Sequence, residues 1–584
     1  MGRNRRGKRR RKVAAAKEKP PARASRISWE TPGLVLGLVV AAHVIMGVIS
    51  SAPMIHTGGD NAAYVSLAQS LVQDGAYHEL WHPGSPPHTQ YPPVYPAVLA
   101  VLILLGAKTW GVFKAISLLG TALATAFCFL WVRRLHGPRI AGVVALFFGI
   151  SPALLFHSRW ILSEPLFLTF VFASLWLLTP DSRNPARNAG SGAALSWLSR
   201  PHCMTALALV IAANFTRSAG LPLVAAVGIW LAMRKRWATL AIFSAAFAAL
   251  AIPWHLRSGG EYVSAFWLVN PYALDQGTID LWGLVTRLGT NLWEYTIEYV
   301  PTGLTGMSGI PAAVLGVVVV GLALAGWLRR VRAGPGLPEI FTLLYTGLIM
   351  VWPAAWSGDR FALPLYPLIL LYAGEQLVQT VARLPRRVAQ AVAVAVAAIV
   401  VVPAGASWLE DTEYAGRCRA LVATRGPMGC YASNIRELQV MALWTREWLP
   451  PGSVVFARKP RLFHAFSGHP AVVYPFTSDP DRLPAQADSI GVDYVVVGSW
   501  DTSGPAYVLP AVSAHPDRFC LVKELRVGPG PAISLLAITA QGTHDTTAEE
   551  ETEGELRMCP GPGREDSPSS ASLASMTVPI LDRE

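Results

Sequence analysis

Four short polar motifs carry carboxylates and arginines at the ends of long apolar segments. Their chemically competent residues are Asp60 in the first, Arg159 and Glu164 in the second, Arg217 in the third, and Asp359 with Arg360 in the fourth. Carboxylates serve as general bases, and the arginine fork binds phosphate. Because charged groups at a lipid boundary are costly, they mark functional sites. The motifs therefore predict an outward-facing site of carboxylates and arginines at the membrane surface.

Each motif also has an ordinary structural interpretation, which the sequence leaves open. The alternatives are a helix N-cap for Asp60, a partner of the helix dipole for Glu164, a snorkelling side chain for Arg159, loop capping for Arg217, and a mutual ion pair for Asp359 and Arg360. The sequence contains no P-loop, GxGxxG, HExxH or GxSxG motif. A substrate that arrives through the bilayer would need no nucleotide-binding fold.

The composition indicates that these motifs belong to a membrane protein. The 584 residues are 52% hydrophobic and 15% charged, with a mean hydropathy of +0.37, whereas soluble domains are about 25% charged. The net charge of +12 comes almost entirely from residues 1–26, which hold twelve basic residues and one acid. Such a tail before the first apolar segment is typical of a cytoplasmic end that contacts anionic lipid. We therefore expect residues 1–30 to be a basic cytoplasmic tail and expect no nucleic-acid partner.

The apolar segments are separated by basic clusters, which the positive-inside rule places in the cytoplasm. The clusters lie near residues 133–139, 183–200, 234–236, 329–332 and 383–387. The predicted spans are 33–53, 112–132, 140–158, 165–179, 202–217, 220–233, 237–254, 308–328, 339–356, 361–380 and 388–408. The first is interpreted as an uncleaved anchor. Val94–Gly106 is too short to cross and follows several prolines, so it is predicted to be re-entrant or interfacial.

The predicted fold class is a polytopic α-helical membrane protein of about 11 spans with a C-terminal extracytoplasmic α/β domain. Residues 31–409 form the multi-span part, in which 54–111 is the first outer loop, and 410–540 form the α/β domain. Residues 541–584, with ten acids and three bases, are predicted to be a disordered acidic tail. Six cysteines include no CxxC pair, and Cys418 and Cys430 are either free or joined in a disulfide.

The order of several motifs resembles that of a known family. They are Asp60 after the first span, Tyr91-Pro92-Pro93, Ser163-Glu164-Pro165, Thr216-Arg217-Ser218-Ala219-Gly220 and Asp359-Arg360-Phe361-Ala362-Leu363-Pro364. Over about residues 30–410 this order is similar to that of the bacterial GT-C membrane glycosyltransferases. Within them it most resembles the group related to protein O-mannosyltransferases and the lipid A aminoarabinose transferase.

The resemblance implies inverting sugar transfer on the outer face of the plasma membrane. The donor would be a polyprenyl-phosphate sugar and the acceptor a glycan, lipid or protein. Asp60 would be the general base and Glu164 a second catalytic acid. The substrate-binding residues would be Tyr64, Tyr91, Arg159, Arg217, Asp359 and Arg360. Some relatives bind a divalent cation, for which the sequence offers Glu79, His82, His88 and His255.

Two other functional classes are compatible with the same topology. A lipid-linked glycan transporter or flippase would place ionisable groups near mid-span and contain broken helices in matching halves. Here the charged residues cluster at the ends of the apolar segments, which favours an enzyme. A non-catalytic cell-envelope scaffold would instead use the outer domain to bind partners.

Overall fold

The architecture is described by a computed structural model that covers residues 32–180, 201–257, 264, 266–270, 276–500, 502–527, 532–539 and 557–559. The predicted basic tail, the basic cluster near 183–200 and most of residues 541–584 lie outside the described residues.

The described part of the chain before residue 426 folds mainly into α-helices. Its α-helices are α1 (Pro32–Ile49), α2 (Asp60–Gln73), α3 (Val94–Leu104), α4 (Trp110–His136), α5 (Pro138–Gly149), α6 (Pro152–Ser158), α7 (Glu164–Leu178), α8 (Pro201–Thr216), α9 (Leu221–Met233), α10 (Trp237–Arg257), α11 (Leu281–Glu294), α12 (Val300–Thr305), α13 (Gly309–Ala333), α14 (Leu337–Val351), α15 (Asp359–Ala362), α16 (Tyr366–Val381) and α17 (Arg386–Arg425).

Several of these helices are long and apolar enough to cross a membrane. Among the described residues, α1, α4, α10, α13 and α17 meet this condition, and α5 with α6 would add a sixth span if the bent pair is counted as one. The predicted count of eleven is not confirmed. Helices α7, α8, α9 and α14 contain 13 to 16 residues, whereas a span needs about 20. The predicted span at 140–158 bends by 63° before Pro152, where proline cannot continue the hydrogen-bonding of α5.

The segment Val94–Gly106 contains the short helix α3. It begins directly after Pro92-Pro93, and Pro96 lies in its first turn, where no backbone donor is required. Tyr95 and Leu99 pack on α2, and the last residues of the helix are exposed. Helix α3 therefore supports α2, which begins at Asp60.

The segment 255–307, which lies between the predicted spans 237–254 and 308–328, contains helices α11 and α12. The buried amide of Asn291 on α11 donates hydrogen bonds to the carbonyl oxygens of Met350 and Trp352, at 2.7 and 2.8 Å. Tyr295 donates to the carbonyl oxygen of Gly358 at 3.3 Å. These bonds fix the path of the chain from the end of α14 to Arg360.

The predicted boundary between the multi-span part and the outer domain falls inside one helix. Helix α17 continues without a break from Arg386 to Arg425, a length of about 60 Å at 1.5 Å per residue. It therefore runs on well past residue 409 before the globular part begins. Cys418 near its end forms a disulfide with Cys430, which ties the helix to the start of that part.

The C-terminal part is a small α/β domain, as expected. Its five-stranded sheet has the order β2-β1-β3-β5-β4. Strand β1 pairs in parallel with β2 and β3, whereas β5 pairs antiparallel with β3 and β4. The elements are α18 (Ser433–Trp448), β1 (Val455–Phe456), α19 (Pro460–Ser467), β2 (Ala471–Val472), α20 (Arg482–Ile490), β3 (Tyr494–Val497), α21 (Leu509–Ala514), β4 (Phe519–Leu525) and β5 (Ile533–Ile538).

A short piece of the predicted disordered tail is attached to this sheet. Met558 forms a parallel bridge with Leu521 of β4, and Cys559 forms a disulfide with Cys520. The prediction of disorder therefore does not hold for residues 557–559.

The α/β domain packs directly on the first long loop of the multi-span part. The backbone amide of Ala471 in β2 donates to the carbonyl oxygen of Trp81 at 2.7 Å. Tyr431 accepts a hydrogen bond from the amide of Ile55 at 2.8 Å, and Ile55 lies in the same apolar cluster as the core of the domain. The loop and the domain therefore enclose the space between them.

Candidate active site

A cavity of about 1190 Å³ lies between the multi-span part and the α/β domain. Five of the eight residues predicted to act in catalysis or substrate binding line this cavity: Asp60, Tyr64, Tyr91, Arg217 and Arg360. They come from four separate segments of the sequence. Arg159, Glu164 and Asp359 are not among the lining residues.

Asp60 presents its carboxylate to the cavity at the start of α2. Gly59 precedes it with a φ of +87°, in the left-handed region that favours glycine, and Gly59 rather than Asp60 is the N-cap residue. One carboxylate oxygen accepts a hydrogen bond from the Tyr91 hydroxyl at 2.9 Å. The other lies 3.4 Å from a guanidinium nitrogen of Arg360. With its side chain 25% exposed, Asp60 is held on both oxygens yet accessible to a ligand.

Glu164 is buried behind the cavity wall and contacts it through Arg217. Its side chain is only 2% exposed, and its Oε1 lies 2.6 Å from Nη1 of Arg217. The same guanidinium donates to the Ser163 hydroxyl at 3.1 Å, which is also bonded to the Tyr64 hydroxyl at 2.9 Å. Glu164 therefore orients Arg217. Its own carboxylate is buried and does not line the cavity.

Arg217 and Arg360 share one aromatic neighbour. Their guanidinium carbons lie 5.5 and 5.0 Å from the centroid of the Phe361 ring. Such cation–π contacts favour a fixed orientation of the charged group. The two arginines, called here the helix-side pair, therefore face the same part of the cavity beside Asp60.

Arg461 of the α/β domain completes the surroundings of Asp60. It donates to the Tyr91 hydroxyl at 2.6 Å and to the side-chain oxygen of Gln90 at 2.9 Å. Its guanidinium carbon also lies 5.1 Å from the ring centroids of Trp81 and Tyr91. Because Arg461 donates to the hydroxyl, the Tyr91 proton is directed to Asp60. Arg461 is not among the residues predicted from the sequence, although the run Arg458-Lys459-Pro460-Arg461 at a helix start was a visible signal.

We expect Arg461→Gln to loosen the Tyr91 loop and to reduce the predicted sugar transfer, while Asp60, the predicted base, stays in place. A hydrogen bond to a charged group contributes about 1.5–3 kcal/mol. Hydrogen–deuterium exchange over residues 77–93 should therefore increase, and kcat should fall while the pH profile of the base is kept. Arg461→Lys should recover part of the activity. Arg446→Gln, at an exposed position of α18, is the matched control, and equal exchange in all variants would contradict the positioning role.

Glu79 and His88, two of the candidate metal ligands, contact each other in the same loop. His88 donates from Nδ1 to the Glu79 carboxylate at 2.8 Å, and its Nε2 accepts the backbone N–H of Tyr91 at 2.8 Å. Burial lowers the pKa of His88 below its usual value, although the Glu79 carboxylate opposes this shift. His88 is therefore a neutral structural link between Glu79 and Tyr91. Within the described residues, no group of three or more His, Cys, Asp or Glu side chains is arranged to hold a metal ion.

Arg159 and Asp359, both predicted to bind the substrate, do not line the cavity. Arg159 forms an ion pair with Asp411 of α17 at 2.9 Å and donates to the carbonyl oxygen of Ser50 at 3.2 Å. It therefore joins α17 to the end of α1 rather than lining the cavity. Asp359 begins α15, and Arg360 is paired with Asp60.

No protein-family model matches the sequence, and no curated protein is similar to it. Solved structures, however, share the fold. The oligosaccharyltransferase of Archaeoglobus fulgidus, solved with zinc and sulfate, matches with a TM-score of 0.55 at 14% identity over 86% of this chain and 72% of its own. ArnT of Cupriavidus metallidurans, bound to undecaprenyl phosphate, matches with a TM-score of 0.52 at 14% identity over 88% of this chain and 99% of its own.

The archaeal oligosaccharyltransferase AglB from Archaeoglobus fulgidus, in complex with an inhibitory peptide and a dolichol-phosphate, matches with a TM-score of 0.54 at 13% identity over 89% of this chain and 76% of its own. These structural neighbours are GT-C glycosyltransferases, the class that the order of the sequence motifs indicated. The chain therefore has the GT-C fold, with a multi-pass helical part and a C-terminal α/β domain.

Proposed function

We propose that this chain is an inverting membrane glycosyltransferase that uses a polyprenyl-phosphate sugar as donor. The observation that carries the proposal is the accessible carboxylate of Asp60, next to Arg217 and Arg360, in a cavity of a GT-C fold. The archaeal and ArnT structures were solved with dolichol-phosphate and undecaprenyl phosphate, respectively. The choice of a lipid phosphate donor for this chain rests on that likeness and on the arginines.

The proposed reaction forms one bond and breaks one at the anomeric carbon of the sugar. The acceptor hydroxyl attacks this carbon, Asp60 takes the hydroxyl proton, and the bond to the phosphate oxygen breaks with both electrons leaving on polyprenyl phosphate. A carboxylate has about four lone-pair positions, so the bonds to Tyr91 and Arg360 leave room for the acceptor. A phosphate leaving group needs charge stabilisation, which the helix-side pair supplies.

The other predicted residues take supporting roles in this proposal. Tyr91 orients Asp60, Tyr64 links the wall of the cavity to Ser163, and Glu164 holds Arg217. Arg159 is assigned to the packing of α17, and Asp359 has no role in the step.

The experiment that tests the proposal measures release of polyprenyl phosphate. The full chain in nanodiscs would receive a panel of polyprenyl-phosphate sugars and a membrane extract as acceptor, and mass spectrometry would follow both products. We expect release that depends on the extract. Binding of the donors without release from any of them would contradict the enzyme and favour a carrier. Release without a glycosylated product would indicate hydrolysis.

We further propose that the α/β domain lies on the outer face of the plasma membrane and the basic tail in the cytoplasm. The domain side holds two disulfides, Cys418–Cys430 and Cys520–Cys559, and disulfides are typical of oxidising compartments. The free thiols of Cys128 and Cys203 are buried in the helical part. The cysteine chemistry thus supports the orientation that the basic clusters predict.

A labelling experiment tests this orientation. In intact cells, we expect a membrane-impermeant maleimide to modify the four disulfide cysteines only after addition of a reductant. Cys→Ser variants of each pair assign the modified positions. Modification that requires permeabilised cells, or that occurs without reductant, would contradict the placement.

A further inference from the structure

The connector of residues 50–59 leads from the end of α1 to Asp60, the first residue of α2. It contains no helix or strand, so its polar backbone groups need partners from elsewhere in the fold. The carbonyl oxygens of residues 49–52 and 54 accept hydrogen bonds from basic side chains of other segments. The donors and the residues that they reach are Arg419 for Ile49 and Ser51, Arg159 for Ser50, and Lys114 for Ala52 and Met54. The path of the connector therefore depends on the side chains that hold it.

Arg419 holds the connector from the extended end of helix α17. Its Nη1 donates to the carbonyl oxygens of Ile49 and Ser51, at 3.2 and 2.8 Å. The Trp408 indole, about three turns earlier on the same helix, donates to the carbonyl oxygen of Met46 in α1 at 3.1 Å. Because Ser51 lies beyond the end of α1, Arg419 fixes the connector in addition to capping the helix.

The disulfide between Cys418 and Cys430 packs against the same connector. Cys418 is fully buried and lies in a small apolar cluster with Ala52. The sulfur of Met54 lies 3.8 and 3.7 Å from the sulfurs of Cys418 and Cys430. The disulfide thus joins α17 to the start of the α/β domain at the place where both contact the connector.

Tyr431, directly after the disulfide, holds the connector by hydrogen bonds. Its hydroxyl accepts the amide of Ile55 at 2.8 Å and lies 3.5 Å from the carbonyl oxygen of the same residue. Asp60 follows five residues later. The carbonyl oxygen of Gly59 accepts the amide of Ala63 at 3.0 Å, which closes the first turn of α2. Release of the connector would therefore loosen the turn that carries Asp60.

We propose that Arg419 and the Cys418–Cys430 disulfide position Asp60 for the reaction, although neither lines the cavity. This inference rests on the proposed function, because it takes Asp60 as the base. The α/β domain then holds Asp60 in two ways. Arg461 acts on its carboxylate through the hydrogen-bonded tyrosine hydroxyl, and the disulfide acts on its backbone through the connector.

Hydrogen–deuterium exchange of the full chain in nanodiscs tests the positioning role independently of sugar transfer. R419Q should speed exchange over residues 50–63 about tenfold or more, because two hydrogen bonds from a charged donor are lost. C418S combined with C430S should also speed exchange there, because the ends of α17 and the α/β domain are no longer joined at the connector.

The matched controls remove similar groups away from the connector. C520S with C559S removes the second disulfide, and R417Q removes an exposed arginine of α17. Both should leave exchange over residues 50–63 unchanged. Unchanged exchange there in R419Q and in the C418S/C430S variant overturns the proposal. A uniform increase along the whole chain overturns it too, because the groups would then stabilise the fold in general.

Transfer kinetics test the consequence for the base. R419Q should lower kcat by about tenfold to hundredfold, because a misplacement of about 1 Å costs about 10²-fold, and the donor KM should stay within about twofold. R419K keeps a donor for the two carbonyl oxygens and should recover part of the rate. Unchanged kcat in a variant with faster exchange overturns the proposal. A wild-type chain that binds donors without consuming them contradicts the proposed function, and the exchange measurement still decides whether these groups hold the connector.

Discussion

Asp60→Asn should lower sugar transfer by about 10²–10⁴-fold, the range that a positioned general base contributes. The amide cannot take the acceptor proton, yet its size matches that of the carboxylate, so Tyr91 and Arg360 keep a partner of the same shape. The rate would be measured as polyprenyl phosphate released per enzyme at saturating donor. Because the change removes the base rather than a binding group, donor affinity should be nearly unchanged.

Asp359→Asn is the matched control for this experiment. Asp359 belongs to a motif of the same kind, begins helix α15, and is not a lining residue of the cavity. Its amide variant should keep near-normal activity. If D60N keeps full activity while it folds normally, the assignment of the base is wrong, and another group or the donor phosphate itself must accept the proton.

The residues around the cavity could be anticipated to different degrees from the sequence. Asp60, Arg217 and Arg360 stand out because charges are rare beside apolar segments, and each is expensive there unless it has a function or a partner. The structure brings these three to one cavity from positions up to 300 residues apart. Their identity was therefore visible in the sequence, whereas their pairing required the tertiary fold.

Arg461, in contrast to these three residues, does not stand out in the sequence. It lies in a domain of ordinary composition, where an arginine is usually a surface residue, and its partner Tyr91 is 370 positions away. Glu164 was visible in the sequence, but the sequence cannot show that its carboxylate is buried against Arg217. Burial and direction of a side chain are tertiary properties, and they decide whether a group touches the ligand or positions a neighbour that does.

The fold itself was predicted more completely in the α/β domain than in the helical part. The C-terminal part was expected to be an α/β domain, and it contains a five-stranded sheet flanked by helices. In the helical part, hydropathy located the apolar segments but did not determine where each helix ends. Pro152 divides one predicted span, and α17 continues into the polar region to residue 425. Hydropathy averages over a window, whereas helix ends depend on single prolines and on packing.

Arg360→Gln should lower transfer by about 10²–10³-fold, the loss found when one charge-stabilising donor is removed from a developing oxyanion. Arg360 lies between Asp60 and Phe361 and faces the cavity with a side chain that is 37% exposed. In the proposed reaction it contacts the leaving phosphate, and the negative charge on that phosphate grows as the bond to the sugar breaks. Its loss should therefore reduce kcat more than it raises the donor KM.

The charge-retaining variant separates this role from simple packing. Arg360→Lys keeps a cation beside Phe361 but loses the planar fork, so it should recover part of the rate and little of the phosphate affinity. A donor whose lipid phosphate is a better leaving group needs less stabilisation, and R360Q should be less impaired with it. If R360Q lowers the rate equally with every leaving group, the arginine acts only by holding Asp60, and the phosphate must be stabilised by Arg217 instead.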